Sequence, residues 1–245
     1  MPRFFIDKSQ ITDSTLYVTG DDARHIARSL RMAVGDTITV SDGEGNEYEA
    51  SLSRIRDDEC SAEIISSRVS TSEPASKISL YMAYPKGDKL ETVIQKAVEL
   101  GASAVIPFES KRCIKRPKAD KAKDKRERLC RIAHEAAKQC GRSILPDVAL
   151  PITFNEMLTS AQEAELRIFC YEGDGTESLK AILDGCSAAP LSIAVIVGSE
   201  GGFDPEEAAL AREAGFRMAN LGPRILRCET APDYCLSTIS YRFEL

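Results

Sequence analysis

The pattern of apolar and polar positions changes character near residue 75. Before it, short alternating segments at 37–40, 48–52 and 60–65 are typical of half-buried strands. The first two flank Asp42-Gly43-Glu44-Gly45-Asn46, where the two glycines permit the positive φ of a hairpin turn. Several short strands with little helix predict a small β-barrel.

One helix interrupts these strands. Asp21 and Asp22 are expected to cap it, and the apolar residues within 23–30 give it one apolar face. The segment 70–76 is polar, contains a proline and has no apolar periodicity, so it is interpreted as a linker.

After the linker, apolar runs alternate with segments of helical period. Strands are predicted at 78–83, 104–108, 166–171 and 192–197, and helices at 88–100 and 121–140. This βαβ order favours a parallel sheet in an α/β fold. A further helix is predicted after Asp204, because aspartate is a good N-cap and Pro205 suits the first helical position.

Composition limits the class of protein. With 43% hydrophobic and 29% charged residues among 245, the chain fits a folded soluble protein. No apolar run approaches the roughly 20 residues that span a bilayer, and the N-terminus lacks the apolar core of a signal peptide, so a cytoplasmic location is expected. The eight cysteines have no CxxC spacing and the two histidines are far apart, so no metal site is expected.

Charge is distributed unevenly along the chain. The net charge is -6, yet residues 111–142 carry 13 Lys or Arg against 4 Asp or Glu. A basic segment on an acidic protein indicates a local site for a polyanion such as RNA. A solvated helix face is the alternative interpretation.

The sequence VGSEGGF at 197–203 follows an apolar strand and precedes a helix start, an order typical of cofactor binding. It is neither GxGxxG nor a P-loop, which disfavours a dinucleotide or a nucleoside triphosphate. Its three glycines allow a ligand to approach the backbone, and Glu200 favours hydroxyl groups, an amine or a positive centre over an anion. S-adenosylmethionine, with a ribose diol, an amine and a sulfonium, suits such a loop. A plain turn is the alternative.

A second irregular segment lies at 220–231. It contains Gly-Pro, then two arginines and a glutamate among Ile225 and Leu226. This pattern is too irregular for an amphipathic helix and too charged for a core strand. A functional loop is therefore predicted.

Together, GSEGGF and LGPRILRCETA resemble the C-terminal signature of the ribosomal RNA small subunit methyltransferase E family, which belongs to the knotted SPOUT class. PRFF at the N-terminus and the segments 25–36, 86–112 and 131–146 also resemble this family. The resemblance implies a PUA-like RNA-binding barrel at 1–72, a linker at 73–77, and an α/β methyltransferase domain at 78–245 with a parallel sheet and a C-terminal trefoil knot.

The same resemblance implies an activity. The family uses S-adenosylmethionine to methylate N3 of a uridine in 16S ribosomal RNA, and it acts as a homodimer. The expected partners are therefore 16S ribosomal RNA or the assembled small subunit and a second copy of the chain, with no membrane and no DNA.

The resemblance also places the cofactor on two motifs. The residues implied in cofactor binding are Val197, Gly198, Glu200, Gly201, Gly202, Leu221, Gly222, Ile225, Leu226, Arg227, Thr230 and Ala231. The sequence departs from the family pattern at three places. Ser199 stands where proline is usual, Cys228 stands where threonine is common, and 232–235 is more polar than expected.

Uracil N3–H is a weak acid, so the enzyme must help remove its proton or stabilise the anion that forms. The candidates for stabilising the anion are Arg227, Arg224, Arg3 and Arg142, and those for the base are Glu229, Glu200 and water.

RNA contacts are expected from Arg3, Arg31, Lys86, Arg112, Lys115, Arg116, Lys121, Lys123, Lys125 and Arg142. Core packing is expected for Phe4, Phe5 and Phe203.

Two rival functions stay open at this point. The first is that the chain is a methyltransferase for another RNA, such as transfer RNA. The second is that it is a catalytically silent RNA-binding protein that keeps the fold. The PUA-like N-terminal half favours the ribosomal substrate over the first rival. Binding of S-adenosylmethionine separates the enzyme from the second.

Overall fold

The structure is a computed structural model that describes residues 1–114 and 122–245. The described chain divides into two compact units. The first comprises Met1–Glu73 and Ala137–Leu145, and the second comprises Pro74–Ala136 and Pro146–Leu245. The segment 137–145, which the sequence places in the methyltransferase domain, thus belongs to the first unit.

The first unit is built on one six-stranded sheet. Its strands are β1 (Arg3–Phe5), β2 (Ile11–Thr12), β3 (Thr15–Thr19), β4 (Thr37–Ser41), β5 (Asn46–Ile55) and β6 (Glu59–Val69). Their order is β1-β4-β5-β6-β3-β2, and every pairing except β1 with β4 is antiparallel. Alternate residues such as Leu16 and Val18, or Ile38 and Val40, are buried in one hydrophobic core, as the alternating pattern predicts.

The helical segment of the first unit differs from its predicted start. Helix α1 (Gly20–Arg24) continues into a π-helical turn at His25–Ser29. The N-cap residue is Thr19, and Asp21 and Asp22 lie inside the first turn, so their assignment as caps is wrong. Both carboxylates bind cations instead, since Asp21 pairs with Arg24 and Asp22 binds Lys138 at 2.7 Å.

A buried ion pair holds the segment 137–145 within the first unit. Two guanidinium nitrogens of Arg142 donate to one Glu73 carboxylate oxygen at 3.1 and 2.7 Å. The backbone N–H groups of Ser143 and Ile144 donate to the other oxygen at 2.8 and 3.0 Å. The Arg142 side chain is only 4% exposed. The structure therefore contradicts its predicted roles in RNA contact and in anion stabilisation, and it gives Arg142 a structural role.

The second unit is built on an eight-stranded sheet. Its strands are β7 (Lys77–Ala83), β8 (Ala102–Glu109), β9 (Asp147–Val148), β10 (Ile152–Thr153), β11 (Leu166–Cys170), β12 (Glu177–Ser178), β13 (Ser192–Val197) and β14 (Arg217–Asn220). The order is β10-β8-β7-β13-β11-β14-β12, with β9 also paired to β8, and every pairing is parallel. The predicted parallel sheet is confirmed. The continuous apolar run of β13 is typical of a strand that is buried on both faces.

Six helices accompany this sheet in the described residues. They are α2 (Lys89–Glu99), α3 (Ala122–Cys140), α4 (Phe154–Ala161), α5 (Leu179–Asp184), α6 (Pro205–Glu213) and α7 (Thr230–Phe243). The predicted apolar face of α2 is buried, and Gly101 adopts a φ of 91° just beyond its end. Asp204 caps α6 through a capping box with Glu207, and Pro205 is its first residue, as the sequence predicts.

The direction of the strands decides where a ligand can bind. Because all strands of the second unit are parallel, their carboxyl ends lie at one edge of the sheet. The loops that follow β8, β7, β13, β11 and β14 therefore meet there, in that spatial order. The knot that the family resemblance implies stays a prediction.

Breaking the buried pair is expected to destabilise the first unit. Burial raises the pKa of Glu73, but Arg142 and two backbone N–H groups outweigh it and hold that pKa below its usual value. Glu73→Gln removes the charge opposite a buried guanidinium and should lower the free energy of unfolding by about 3 kcal/mol at pH 7. Urea titration measures this change.

The matched control is Glu44→Gln, since Glu44 pairs with Lys8 on the surface at 3.6 Å. The stability that the ionised Glu73 carboxylate contributes should be fully present above the pKa that Glu73 has in the unfolded chain. It should be lost as the pH falls through the lower pKa that Glu73 has in the folded protein. Equal stabilities of the two variants would contradict a structural role for the buried pair.

Candidate active site

A cavity of about 820 Å³ lies at the carboxyl edge of the parallel sheet, within the size range of small-molecule sites. Its lining includes almost all of the predicted cofactor-binding residues, namely Val197, Gly198, Glu200, Gly201, Gly202, Leu221, Gly222, Ile225, Leu226, Arg227 and Ala231. Arg112, Arg224 and Glu229 also line it, whereas Thr230 is exposed and is not part of the lining. The fold thus brings the two predicted motifs to one cavity.

The glycines of the turn after β13 serve two different purposes. A Cβ on Gly201 would lie 3.0 Å from the Cβ of Arg112, and the Arg112 guanidinium donates to the Gly201 carbonyl at 3.2 Å. Gly201 is therefore required for packing between two loops. Gly202 has a φ of 64° with no atom near its missing Cβ, so it is the glycine here that leaves open space.

Lys89 connects the two motifs by charge. Its ammonium lies 3.1 Å from a carboxylate oxygen of Glu200 and 3.1 Å from one of Glu229. The backbone N–H of Lys86 also donates to Glu200 at 3.1 Å. These contacts tie the start of α2 to the turn after β13 and to the loop before α7.

These contacts set the charge of both acids. Burial raises the pKa of Glu200 and of Glu229, but their own backbone N–H groups and Lys89 outweigh it, so both pKa values lie below the usual range. Lys89 has a raised pKa, chiefly because Glu229 and Glu200 accept its hydrogen bonds. At neutral pH the cluster therefore holds two carboxylates and one ammonium. Within the protein, the positive group that Glu200 contacts is Lys89, and its predicted contact with a cationic ligand stays a prediction.

The two single-residue departures from the family pattern lie beside this cluster. The Cys228 thiol donates to Glu229 at 3.2 Å, in the place where a threonine hydroxyl is common. Burial and Glu229 raise the Cys228 pKa to about 12, so the thiol keeps its proton and remains a donor. Ser199 is buried, and its hydroxyl donates to the Arg112 carbonyl at 3.4 Å.

The loop at 221–229 has few hydrogen bonds of its own. The backbone N–H groups of Arg224, Ile225 and Leu226 have no partner within residues 1–114 and 122–245. The guanidinium groups of Arg224 and Arg227 have no partner in these residues either, and Ile225 is 82% exposed. Free donors beside a cavity are suited to a ligand.

The sequence did not predict a third wall of the cavity. This wall consists of Cys170, Tyr171, Glu172 and Gly173, at the end of β11. The signal was present in part, because the loop Glu172-Gly173-Asp174-Gly175 directly follows a predicted strand. It was missed because the sequence does not show that β11 lies between β13 and β14. Lys89 is not predicted either, because the sequence does not show that β7 lies beside β13.

The remaining predicted residues are dispersed. Arg3 lies in the first unit, where its guanidinium donates to Glu47 at 2.6 Å and to Ser41 at 3.2 Å, whereas the residues that line the cavity belong to the second unit. The catalytic and RNA-binding roles predicted for Arg3 stay predictions. Arg31, Lys86 and Lys123 are exposed, and the Lys125 ammonium lies 5.1 Å from the centre of the Tyr84 ring.

Three predicted RNA contacts, Lys115, Arg116 and Lys121, lie outside the described residues. Phe4, Phe5 and Phe203 are buried, as predicted.

In the part of the chain that the structure describes, no helix has both the length and the apolar character needed to cross a membrane. Nor do His, Cys, Asp or Glu side chains gather there in a group that could hold a metal ion.

Comparison with known proteins identifies the two units. A family model described as "RNA methyltransferase domain" matches residues 71–240, and one described as "RNA methyltransferase PUA domain" matches residues 18–65. The ribosomal RNA small subunit methyltransferase E of Bacillus subtilis is 38% identical, with all of this chain and 98% of the relative covered. The chain belongs to the ribosomal RNA small subunit methyltransferase E family. The enzyme of the same name from Synechocystis is 33% identical over 99% of this chain and 78% of its own length.

Solved structures agree with this membership. The family member from Neisseria gonorrhoeae, bound to S-adenosylmethionine, has a TM-score of 0.87 at 30% identity and covers 99% of this chain and 98% of its own. A putative methyltransferase from Legionella pneumophila, also with bound cofactor, has a TM-score of 0.86 at 28% identity and covers 98% of this chain and 96% of its own. The family and the fold class predicted from the sequence, an α/β domain with a parallel sheet plus a PUA-like domain, are confirmed.

The packing of Gly201 generates a stability prediction. Gly201→Ala places a methyl group against Arg112 and should destabilise the second unit by about 1–2 kcal/mol, the usual cost of overpacking. The midpoint of thermal unfolding should fall by about 2–6 °C. Gly185→Ala is the control, because its Cβ would make only ordinary contacts at 3.4 Å. If both variants melt with the parent protein, Gly201 is free to face a ligand and the packing role is wrong.

Proposed function

We propose that the chain methylates N3 of a uridine in the 16S RNA of the small ribosomal subunit, with S-adenosylmethionine as the methyl donor. The observation that carries the proposal is the single cavity lining formed by the two family motifs, with the ionised carboxylates Glu200 and Glu229 beside it. Its support is membership of a family in which relatives of similar fold bind this cofactor.

The residues present fit this cofactor. The open space at Gly202 and Gly222 admits a ligand close to the backbone, because a Cβ at either position would meet no atom within 4 Å. The unpartnered N–H groups of the loop 224–226 offer hydrogen bonds to adenine nitrogens. The carboxylates favour a cationic amine and sulfonium over a phosphate, which gives a physical reason for a glutamate among these glycines. When bound, the cofactor supplies an electrophilic methyl group.

Arg227 and Arg224 are the groups best placed to assist the uracil. Both line the cavity, and neither guanidinium has a partner among the described residues. A guanidinium that donates to a uracil carbonyl oxygen stabilises the negative charge that develops when N3 loses its proton. We assign the larger share to Arg227, because the resemblance to the family implies that this residue lies beside the cofactor.

The base is one of Glu229, Glu200 and water. Both carboxylates are ionised at neutral pH, so either can accept a proton. Their lowered pKa values make them weak bases, which increases the share of the work that falls to anion stabilisation by arginine. The geometry of the target uracil decides between them.

The proposed partners follow from charge and from the family. Ribosomal RNA is a polyanion, and exposed Lys and Arg bind its phosphates without reading sequence. The candidates in this role are Arg31, Lys86, Arg112, Lys123 and Lys125 in the described chain, and Lys115, Arg116 and Lys121 outside it. A second copy of the chain and a cytoplasmic location, where ribosomes assemble, complete the proposal.

Methyl transfer with the purified chain tests the function. Small-subunit RNA and transfer RNA from a strain without the family enzyme are incubated with the chain and labelled S-adenosylmethionine, then digested to nucleosides for mass spectrometry. We expect 3-methyluridine from 16S RNA alone. Label in transfer RNA would favour the first rival function. Absence of both transfer and cofactor binding would favour the silent RNA-binding protein.

A substitution at Arg227 tests the mechanism. Arg227→Ala should slow single-turnover methylation at saturating cofactor by roughly a hundredfold, the scale of losing one anion-stabilising donor. RNA affinity should change little, because one exposed guanidinium is a small part of the phosphate contacts. Arg227→Lys keeps the charge without the planar fork and should be intermediate. A parental rate for Arg227→Ala would exclude Arg227 from the chemical step.

A further inference from the structure

Lys89 is the first residue of α2, a position that does not favour a cation. The positive end of the helix dipole lies at the N-terminus, so an ammonium there is locally unfavourable. A charged residue at a locally unfavourable position usually has compensating interactions with other parts of the fold. For Lys89, the structure shows those interactions.

The Lys89 ammonium contacts groups from two segments that are distant from it in sequence. Glu200 belongs to the turn between β13 and α6, and Glu229 belongs to the loop between β14 and α7. The Cys228 sulfur lies 3.7 Å from the same ammonium. Glu200, Glu229 and Cys228 are the charged or titratable groups that act on it most strongly, so one cation lies among groups from both cofactor motifs.

We propose that Lys89 is a positioning residue that holds the turn after β13 and the loop before α7 at a fixed separation, so that the cavity is formed before the cofactor binds. The effect on the cofactor rests on the proposed function. The effect on the two segments rests only on the contacts of Lys89 with Glu200 and Glu229.

Removing the ammonium has a defined electrostatic consequence. The ionised carboxylates of Glu200 and Glu229, each 3.1 Å from the ammonium, would then lack the cation that they share, and like charges at short range repel. The two segments are then expected to loosen at neutral pH, and the same repulsion raises the pKa of both carboxyl groups. Both effects disturb the arrangement of the cavity. The backbone contact from Lys86 holds Glu200 alone and does not restrain Glu229.

A different role for Lys89 would change the affinity for the cofactor in the opposite direction. If Lys89 only neutralised the cavity, its removal would leave more negative charge and would strengthen the binding of a cationic ligand. Positioning predicts weaker binding. The direction of the change in affinity therefore decides between the two roles.

The first test needs no ligand. Hydrogen exchange is compared in the cofactor-free parent protein and in Lys89→Met, Lys89→Arg and Lys96→Met. Lys96 is the matched control, because it lies on the same helix, pairs with Asp233 at 2.9 Å and does not line the cavity. We expect faster exchange in peptides covering 197–203 and 221–231 for Lys89→Met only. Unchanged exchange in both peptides would overturn the proposal, even if the protein is a methyltransferase.

The second test is calorimetry with S-adenosylmethionine. Lys89→Met should bind it about tenfold more weakly than the parent at pH 7.5, a loss of about 1.4 kcal/mol. Lys89→Arg should restore most of the affinity, and Lys96→Met should match the parent. Parental or tighter binding by Lys89→Met would overturn the proposal.

A pH series adds a signature that a general structural defect would not produce. Without Lys89, the pKa values of Glu200 and Glu229 rise, so the affinity of Lys89→Met should fall as the pH drops from 7.5 to 5.5. The parent, whose carboxylates stay ionised to lower pH, should show a flat profile over this range. If the parent itself fails to bind the cofactor, the proposed function is wrong, and the exchange experiment alone decides the role of Lys89.

Discussion

The candidate site depends on the common direction of the strands in the second unit. Parallel strands end at the same edge of a sheet, so loops far apart in the sequence are forced to meet. Arg112, Tyr171, Gly198 and Leu221 follow four different strands, yet all of them line one cavity. The strand order then determines the walls: β13 lies between β7 and β11, and β11 lies between β13 and β14. The cavity is a consequence of the topology, and the loop residues give it its chemistry.

That chemistry is set by the balance of charge around Lys89. A glycine-rich turn before a helix is a common site for phosphate, because free N–H groups and the helix dipole favour an anion. Here the turn carries Glu200, and Glu229 contacts the same ammonium. Two carboxylates against one cation leave a net negative cluster, which suits a cationic cofactor. Arg224 and Arg227 of the loop at 221–229 add positive charge to the same cavity, on residues that the carboxylates do not contact, and this is the charge that the proposed uracil anion would need.

Part of this arrangement could be read from the sequence, because the relevant signals are local. The bounds of β13, the cap of α6 and the buried face of α2 follow from apolar period and capping chemistry within a few residues. The predicted cofactor residues follow from two motifs and a family resemblance. The sequence could not show that Lys89 lies between Glu200 and Glu229, or that Gly201 packs on Arg112, because these contacts depend on strand order.

The incorrect prediction for Arg142 has the same origin. Its position in a basic segment predicts an RNA contact, yet its guanidinium is buried against Glu73, 69 positions away. The caps predicted at Asp21 and Asp22 are wrong for a local reason, because the helix begins at Gly20 with Thr19 as its N-cap residue. A charged residue in a basic run has no local sign that distinguishes a solvated side chain from a buried partner. Tertiary contacts decide between them.

We infer that S-adenosylmethionine binds at the carboxyl edge, between the loops after β13, β11 and β14. Hydrogen exchange of the parent protein with and without the cofactor measures this directly. Binding at this edge should slow exchange in peptides that cover 171–175, 197–203 and 221–229, and should leave exchange unchanged in the β5–β6 hairpin of the first unit. Protection confined to other segments, or none in these three loops at saturating cofactor, would contradict it.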